Sequence, residues 1–157
     1  MAILLGEYEV AIDSKGRFLL PAGLRKQFAD GVGEKFVVNR GFEKCVTIYT
    51  MDVWNVVSEK VSRLNDFKPN VREFKRLFLN GATIIEVDSA DRVLVPKPLQ
   101  DHAGIELKTD AVLCAQGNKL ELWDKDTYYN YLRERAAGFS KLAEEVANDI
   151  GNPFENI

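Results

Sequence analysis

The sequence predicts an α+β fold made of two tandem copies of one unit, with a helical linker between them and a C-terminal helical segment. Three observations predict it. Asp13-Ser14-Lys15-Gly16-Arg17-Phe18-Leu19-Leu20-Pro21 returns 75 residues later as Asp88-Ser89-Ala90-Asp91-Arg92-Val93-Leu94-Val95-Pro96. Leu24 and Leu99 keep the same offset, and Val46-Thr47-Ile48-Tyr49 recurs as Leu120-Glu121-Leu122-Trp123 at an offset of 74. Both copies run strand, turn, strand, helix, strand, strand, helix, so one small deletion aligns them. Separate collinear matches of this kind are the mark of an internal duplication.

Glu7-Tyr8-Glu9-Val10-Ala11-Ile12 alternates, with Tyr8, Val10 and Ile12 on one face of a half-buried strand. Asp13 to Gly16 is a turn, because Asp and Ser bond nearby backbone and Gly accepts positive φ. Arg17-Phe18-Leu19-Leu20 resumes the strand, and Pro21 stops it. Residues 22–29 are expected to form a short helix with Leu24 and Phe28 inward, ended by Asp30-Gly31. Phe36-Val37-Val38-Asn39 and Cys45-Val46-Thr47-Ile48-Tyr49 read as two further strands. Thr50 is placed to cap a helix carrying Trp54, Val57, Val61 and Leu64. Pro69 opens another helix, with Val71, Phe74 and Phe78 inward, and Asn80-Gly81 closes it. The second copy follows from Ala82. Asp124 stands where Thr50 stood, before a helix bearing Tyr128, Leu132, Phe139, Leu142, Val146 and Ile150, with a break at Gly138. The expected units are 7–54 and 83–126, with a linker at 55–82, C-terminal helices at 127–150 and a tail at 151–157 with little to pack.

Bulk properties narrow the function. The 157 residues are 46% hydrophobic and 29% charged, enough for a packed core. No apolar run approaches the ~20 residues of a membrane span, and the N-terminus lacks the basic region and apolar length of a signal peptide. A cytoplasmic protein is expected. Cys45 and Cys114 lie in apolar strands and read as small buried hydrophobes; a disulfide has no support in the sequence. His102 is the only histidine and no Cys-x-x-Cys occurs, so neither a metal nor a cofactor is expected. The net charge is −3, but residues 1–80 hold 13 Lys and Arg against 10 Asp and Glu, and residues 81–157 hold 8 against 14. The split assigns any polyanion contact to the first half, with chance scatter of surface charge as the alternative.

Paired Asp-x-x-x-Arg hairpins flanking a helical linker resemble the MraZ family, whose members consist of two tandem AbrB-like, swapped-hairpin units. The resemblance runs from Gly6-Glu7-Tyr8 through Arg76-Leu77-Phe78-Leu79-Asn80-Gly81-Ala82 to Gly117-Asn118-Lys119-Leu120-Glu121-Leu122-Trp123-Asp124. It implies a bacterial transcriptional regulator that binds short, tandemly repeated G-rich boxes in double-stranded promoter DNA and represses its own division and cell-wall gene cluster. It further implies association with the nucleoid and a ring-shaped homo-oligomer of about eight or more subunits. The family's DNA contacts map onto Asp13 and Arg17, and onto Asp88 and Arg92.

Arginine suits the guanine edge because its fork makes two parallel hydrogen bonds to O6 and N7. Arg17 follows the unobstructed Gly16, Lys15 can meet phosphate, and Arg25-Lys26 adds a basic pair, so these five residues are the expected DNA contacts. Asp13 is expected to orient the arginine; an Arg17–Asp13 bridge without DNA contact is the alternative. In the second copy Ala90-Asp91 replaces Lys15-Gly16 and Gln100-Asp101 replaces Arg25-Lys26. That hairpin is expected to be chiefly structural, with Arg92 paired to Asp88 or Asp91. Lys60, Arg63, Lys68, Arg72, Lys75 and Arg76 form a solvated helix face or a supporting phosphate contact. No nucleophile elbow, phosphate loop or histidine-based pair is present, which points away from catalysis. The rival is a protein-interaction module of the antitoxin kind. Such proteins add a flexible wrapping tail, whereas the C-terminal segment here reads as helical and self-packed.

Overall fold

The hydrophobic pattern is resolved by an exchange of strands between the two copies. A computed structural model describes residues 3–150, apart from the side chains at 148 and 150. The expected tail at 151–157 and the inward placing of Ile150 lie outside the described residues. The chain divides into two compact units, Met1–Lys125 and Asp126–Ile157.

In the first unit the strands are β1 (Glu7–Ala11), β2 (Arg17–Leu19), β3 (Lys35–Arg40), β4 (Val46–Thr50), β5 (Thr83–Glu86), β6 (Arg92–Leu94), β7 (Asp110–Gln116) and β8 (Lys119–Asp124). Six of them form one antiparallel sheet in the order β1-β7-β8-β4-β3-β5. The edge strand of each copy is seated on the other copy's strand pair: β1 joins β7, with Glu7 opposite Cys114, and β5 joins β3, with Lys35 opposite Glu86. The remaining strands, β2 and β6, pair with each other in a separate two-stranded ribbon. This hairpin exchange gives one core fed by both copies. Phe18, Leu20 and Leu24 pack in the same cluster as Val93, Val95 and Leu99.

Strand β3 is buried on both faces, which accounts for its unbroken Phe36-Val37-Val38 run. Phe36 and Val38 belong to the shared core, and Val37 packs beneath the linker helices α2 (Met51–Ser62) and α3 (Pro69–Leu79). The end of α3 is fastened to β3, where Asn39 Nδ2 donates to the Phe78 carbonyl at 2.9 Å and Arg40 Nη1 to that of Leu77 at 2.8 Å. Gly81 is required there, since a Cβ would stand 2.5 Å from Asn39 Oδ1.

Three local expectations are corrected. The first short helix, α1, covers only Ala22–Arg25, because the next backbone bonds, from Gln27 to Leu24 and from Phe28 to Arg25, are i to i−3 and tighten the chain out of the helix. Thr50 occupies the N-cap position of α2 in extended backbone, yet its side chain makes no capping bond. Leu64 lies beyond α2 and is exposed. The second-copy counterpart of α1 is longer, α4 (Lys97–Ala103), and ends on the left-handed Gly104. Cys45 and Cys114 are buried and not joined in a disulfide, and burial pushes the Cys45 thiol far up.

Beyond the sheet, helices α5 (Lys125–Arg135) and α6 (Phe139–Ile150) are separated by a short 3-10 turn at Ala136–Gly138, where the break was expected. Phe139, Leu142 and Val146 share one helical face but are exposed, so α6 is not self-packed as the apolar spacing suggested. Among the described residues, no helix is long and apolar enough to cross a membrane.

Candidate nucleic-acid interface

Each Asp-x-x-x-Arg sequence closes a three-residue hairpin loop held by one carboxylate. Asp13 Oδ1 accepts the backbone N–H groups of Lys15 and Arg17, both at 2.9 Å, and Oδ2 accepts Arg17 Nε at 2.9 Å. Backbone bonds from Asp13 to the Arg17 carbonyl and from Gly16 to the Asp13 carbonyl complete the loop. The last loop residue must be left-handed in such hairpins, and Gly16 takes φ +82°. The second loop repeats every feature: Asp88 holds Ala90 and Arg92 N–H at 2.9 Å and Arg92 Nε at 2.8 Å, and Asp91 takes φ +63°. The expected orienting role of Asp13 thus has a geometric form, and Arg92 pairs with Asp88 rather than Asp91.

The electrostatics follow from these donors. The Arg17 backbone N–H first, then that of Lys15 and the Arg17 guanidinium, hold the Asp13 carboxyl down at about 2. Asp88 is lowered for the same reasons, chiefly by the Arg92 backbone N–H. Both carboxylates are therefore charged and committed at neutral pH. Each arginine spends only Nε on its aspartate, so among the described residues its two terminal Nη groups are not engaged by protein. The side chains are 24% exposed at Arg17 and 40% at Arg92. The supposed structural copy presents its arginine to solvent at least as fully as the other.

Strand β2 carries Arg17 to the ribbon, where it stands opposite Leu94, and Arg92 stands opposite Leu19. The loops are further tied across copies: Leu20 N–H donates to the Asp91 carbonyl at 2.8 Å, and Val95 N–H to that of Gly16 at 2.9 Å. Two arginines from distant parts of the sequence thereby belong to one ribbon.

The same exchange decides what faces each loop tip. Gln100, the counterpart of Arg25, is buried against the first loop, donates to the Val95 carbonyl at 2.7 Å, and would stand 2.2 Å from a Cβ at residue 16. Gly16 is thus needed for space as well as for φ. Arg25 in turn reaches across to Asp91 of the second loop in an ion pair. The sequence left Arg92 to pair with Asp88 or Asp91; the Asp91 charge is met by Arg25, whose guanidinium is thereby committed to an ion pair although its side chain stays half-exposed. Lys15 and Lys26 are exposed. Gln100 and the Arg25–Asp91 pair escaped sequence reasoning, and the only signal was the joint change of Gly16 and Arg25 to Asp91 and Gln100.

The basic linker run divides. Lys75 Nζ donates to the carbonyls of Ser62 and Leu64 and to Asp66 Oδ1 at 2.6–3.1 Å, which clamps the α2–α3 turn. Arg63 pairs with Glu59, and Arg72 donates to the Asp66 carbonyl. Lys60, Lys68 and Arg76 are exposed.

The MraZ protein family model, antitoxin-like by its description, matches residues 3–77 and again 78–150. The chain belongs to the MraZ family. The two consecutive matches restate the duplication that the hairpins express. Among relatives named "Transcriptional regulator MraZ", that of Christiangramia forsetii is 41% identical over 93% of this chain and 94% of its own. The Natranaerobius thermophilus protein is 36% identical over 93% and 98%, and the Flavobacterium psychrophilum protein 37% over 97% and 96%. Within this MraZ-family chain, the two matched units are the two halves that exchange strands.

Proposed function

We propose that this chain is a sequence-specific, DNA-binding transcriptional regulator whose β2–β6 ribbon docks in the major groove of double-stranded promoter DNA. The observation that carries this is the pair of arginines on one ribbon, each held by its own aspartate through Nε with its terminal fork unspent. A two-stranded β-ribbon fits the major groove, and a free arginine fork matches guanine O6 and N7, worth roughly 1–3 kcal/mol in discrimination. The targets are short, tandem G-rich boxes upstream of the chain's own division and cell-wall gene cluster, which it represses, in the cytoplasm at the nucleoid. Arg17 contributes more than Arg92, because Lys15 adjoins it whereas the carboxylate of Asp91 adjoins Arg92. Lys15 and Lys26 meet phosphate.

One ribbon on a chain of net charge −3 binds weakly. A ring of about eight or more subunits corrects this, because several ribbons then meet several boxes at high effective concentration. A gel shift with the upstream duplex tests the proposal: affinity rises steeply with the number of boxes, and equal binding of one-box and multi-box duplexes would defeat the multivalent arrangement. The rival, an antitoxin-like module that binds a protein partner, predicts no shift at all.

A further inference from the structure

The register of the ribbon fixes which side chains share its outer face. Arg17 lies opposite Leu94 and Leu19 opposite Arg92. Side chains alternate along a strand, so these four share one face, and Phe18 and Val93, each 1% exposed, occupy the other and enter the core. Leu19 is 59% exposed and Leu94 43%. A single exposed leucine carries no meaning. Here two of them sit on one two-residue-wide ribbon, related by the internal duplication and framed by arginines at opposite corners. An outward strand position between cations would ordinarily take a polar residue, and neither copy has one.

Resting on the DNA-binding proposal above, we infer that Leu19 and Leu94 are specificity residues that read the C5-methyl groups of thymine between the guanines held by Arg17 and Arg92. The thymine methyl is the apolar group on the major-groove edge of the base pairs, and leucine offers it dispersion and exclusion of water with no hydrogen-bonding demand. The spacing agrees. Diagonal neighbours in an antiparallel pair stand ~7–8 Å apart, which is about two base steps at ~3.4 Å each. Two base steps leave one base pair between the guanines, and the length of the two arginine side chains extends the reach to two, so the leucines lie over one or two pairs.

The test uses the full chain and the duplex it enriches from a randomised pool. Each thymine of that duplex is replaced in turn by deoxyuridine, which deletes only the methyl group. Wild-type protein is expected to lose about fourfold in affinity for each contacted methyl, the effect of burying one carbon. Leu19→Ala and Leu94→Ala are expected to bind the natural duplex about fourfold more weakly, each becoming indifferent to one of the replacements, with unchanged thermal melting. A selected box without thymine or adenine between its guanines overturns the inference. So does a deoxyuridine penalty that persists unchanged in both leucine variants. Indifference to deoxyuridine with a fall in particle mass of the DNA-free leucine variants assigns the face to contact between copies and overturns it too. Failure of the DNA-binding proposal itself looks different: wild-type enriches no sequence, or Arg17→Ala enriches the same one.

Discussion

Replacing Arg25 by alanine removes the cation that faces Asp91 and leaves the tip of the second hairpin with a bare carboxylate. The pair is partly exposed, 53% at Arg25 and 40% at Asp91, so its loss costs folding only about 0.2–1 kcal/mol. The effect on DNA is larger. Two unit charges ~8 Å apart interact by roughly 0.5 to 2 kcal/mol as the effective dielectric constant falls from ~80 to ~20. A carboxylate near phosphate should therefore weaken binding about 2- to 30-fold per docked ribbon. Asp91→Gly in the same chain should restore it, because glycine takes the left-handed φ of +63° without strain and reproduces the first loop. Asp91→Gly alone frees Arg25 to meet phosphate, so the salt dependence of binding should steepen by ~0.9. The assay is a double-mutant cycle on Kd at two salt concentrations, with particle mass checked for each variant. If the chain carrying both Arg25→Ala and Asp91→Gly binds as weakly as Arg25→Ala alone, the bared Asp91 carboxylate is not what weakens binding, and Arg25 acts on phosphate directly.

Two further outcomes follow from the hydrogen-bond geometry. The Asp13 carboxyl should titrate with a midpoint of about 2 by NMR. Its folded value lies below its unfolded one, so the stabilisation it gives is fully present above about pH 4 and is lost as pH falls towards 2; a midpoint at the ordinary 3.8 would mean that the loop bonds are not formed in solution. Lys75→Met should lower the stability of the α2–α3 turn by roughly 1–2 kcal/mol, a fall of several degrees in Tm for a chain of this size, with the salt dependence of DNA binding unchanged. A shallower salt slope would return Lys75 to the phosphate contacts.

Much of the fold was legible because it is written in local signals. Alternation marked β1, Asp-Ser turns marked the hairpins, and Pro21 and Pro96 marked the strand ends. Partnership was not legible. Glu7 pairs with Cys114 and Lys35 with Glu86, and nothing in a strand's own sequence says that it will be seated on the other copy. The same non-locality hid the site's supports. Arg25 and Asp91 are 66 residues apart in sequence and meet only because hairpins are exchanged. The outward facing of Leu19 and Leu94 was not legible either, since a three-residue strand is too short to display its alternation. The exposed face of α6 was missed for the opposite reason: its spacing is that of a buried helix.

The ribbon is a single reading head only if both arginines touch the same DNA. Quantitative binding of the upstream duplex by Arg17→Ala and Arg92→Ala, with particle mass verified for each, tests this most directly. Both variants should lose specific affinity by about 5-fold or more, the lower end of what one bidentate guanine contact is worth, Arg17→Ala the more severely. Wild-type affinity in Arg92→Ala would make the second hairpin a scaffold, and wild-type affinity in both would remove the ribbon from the interface.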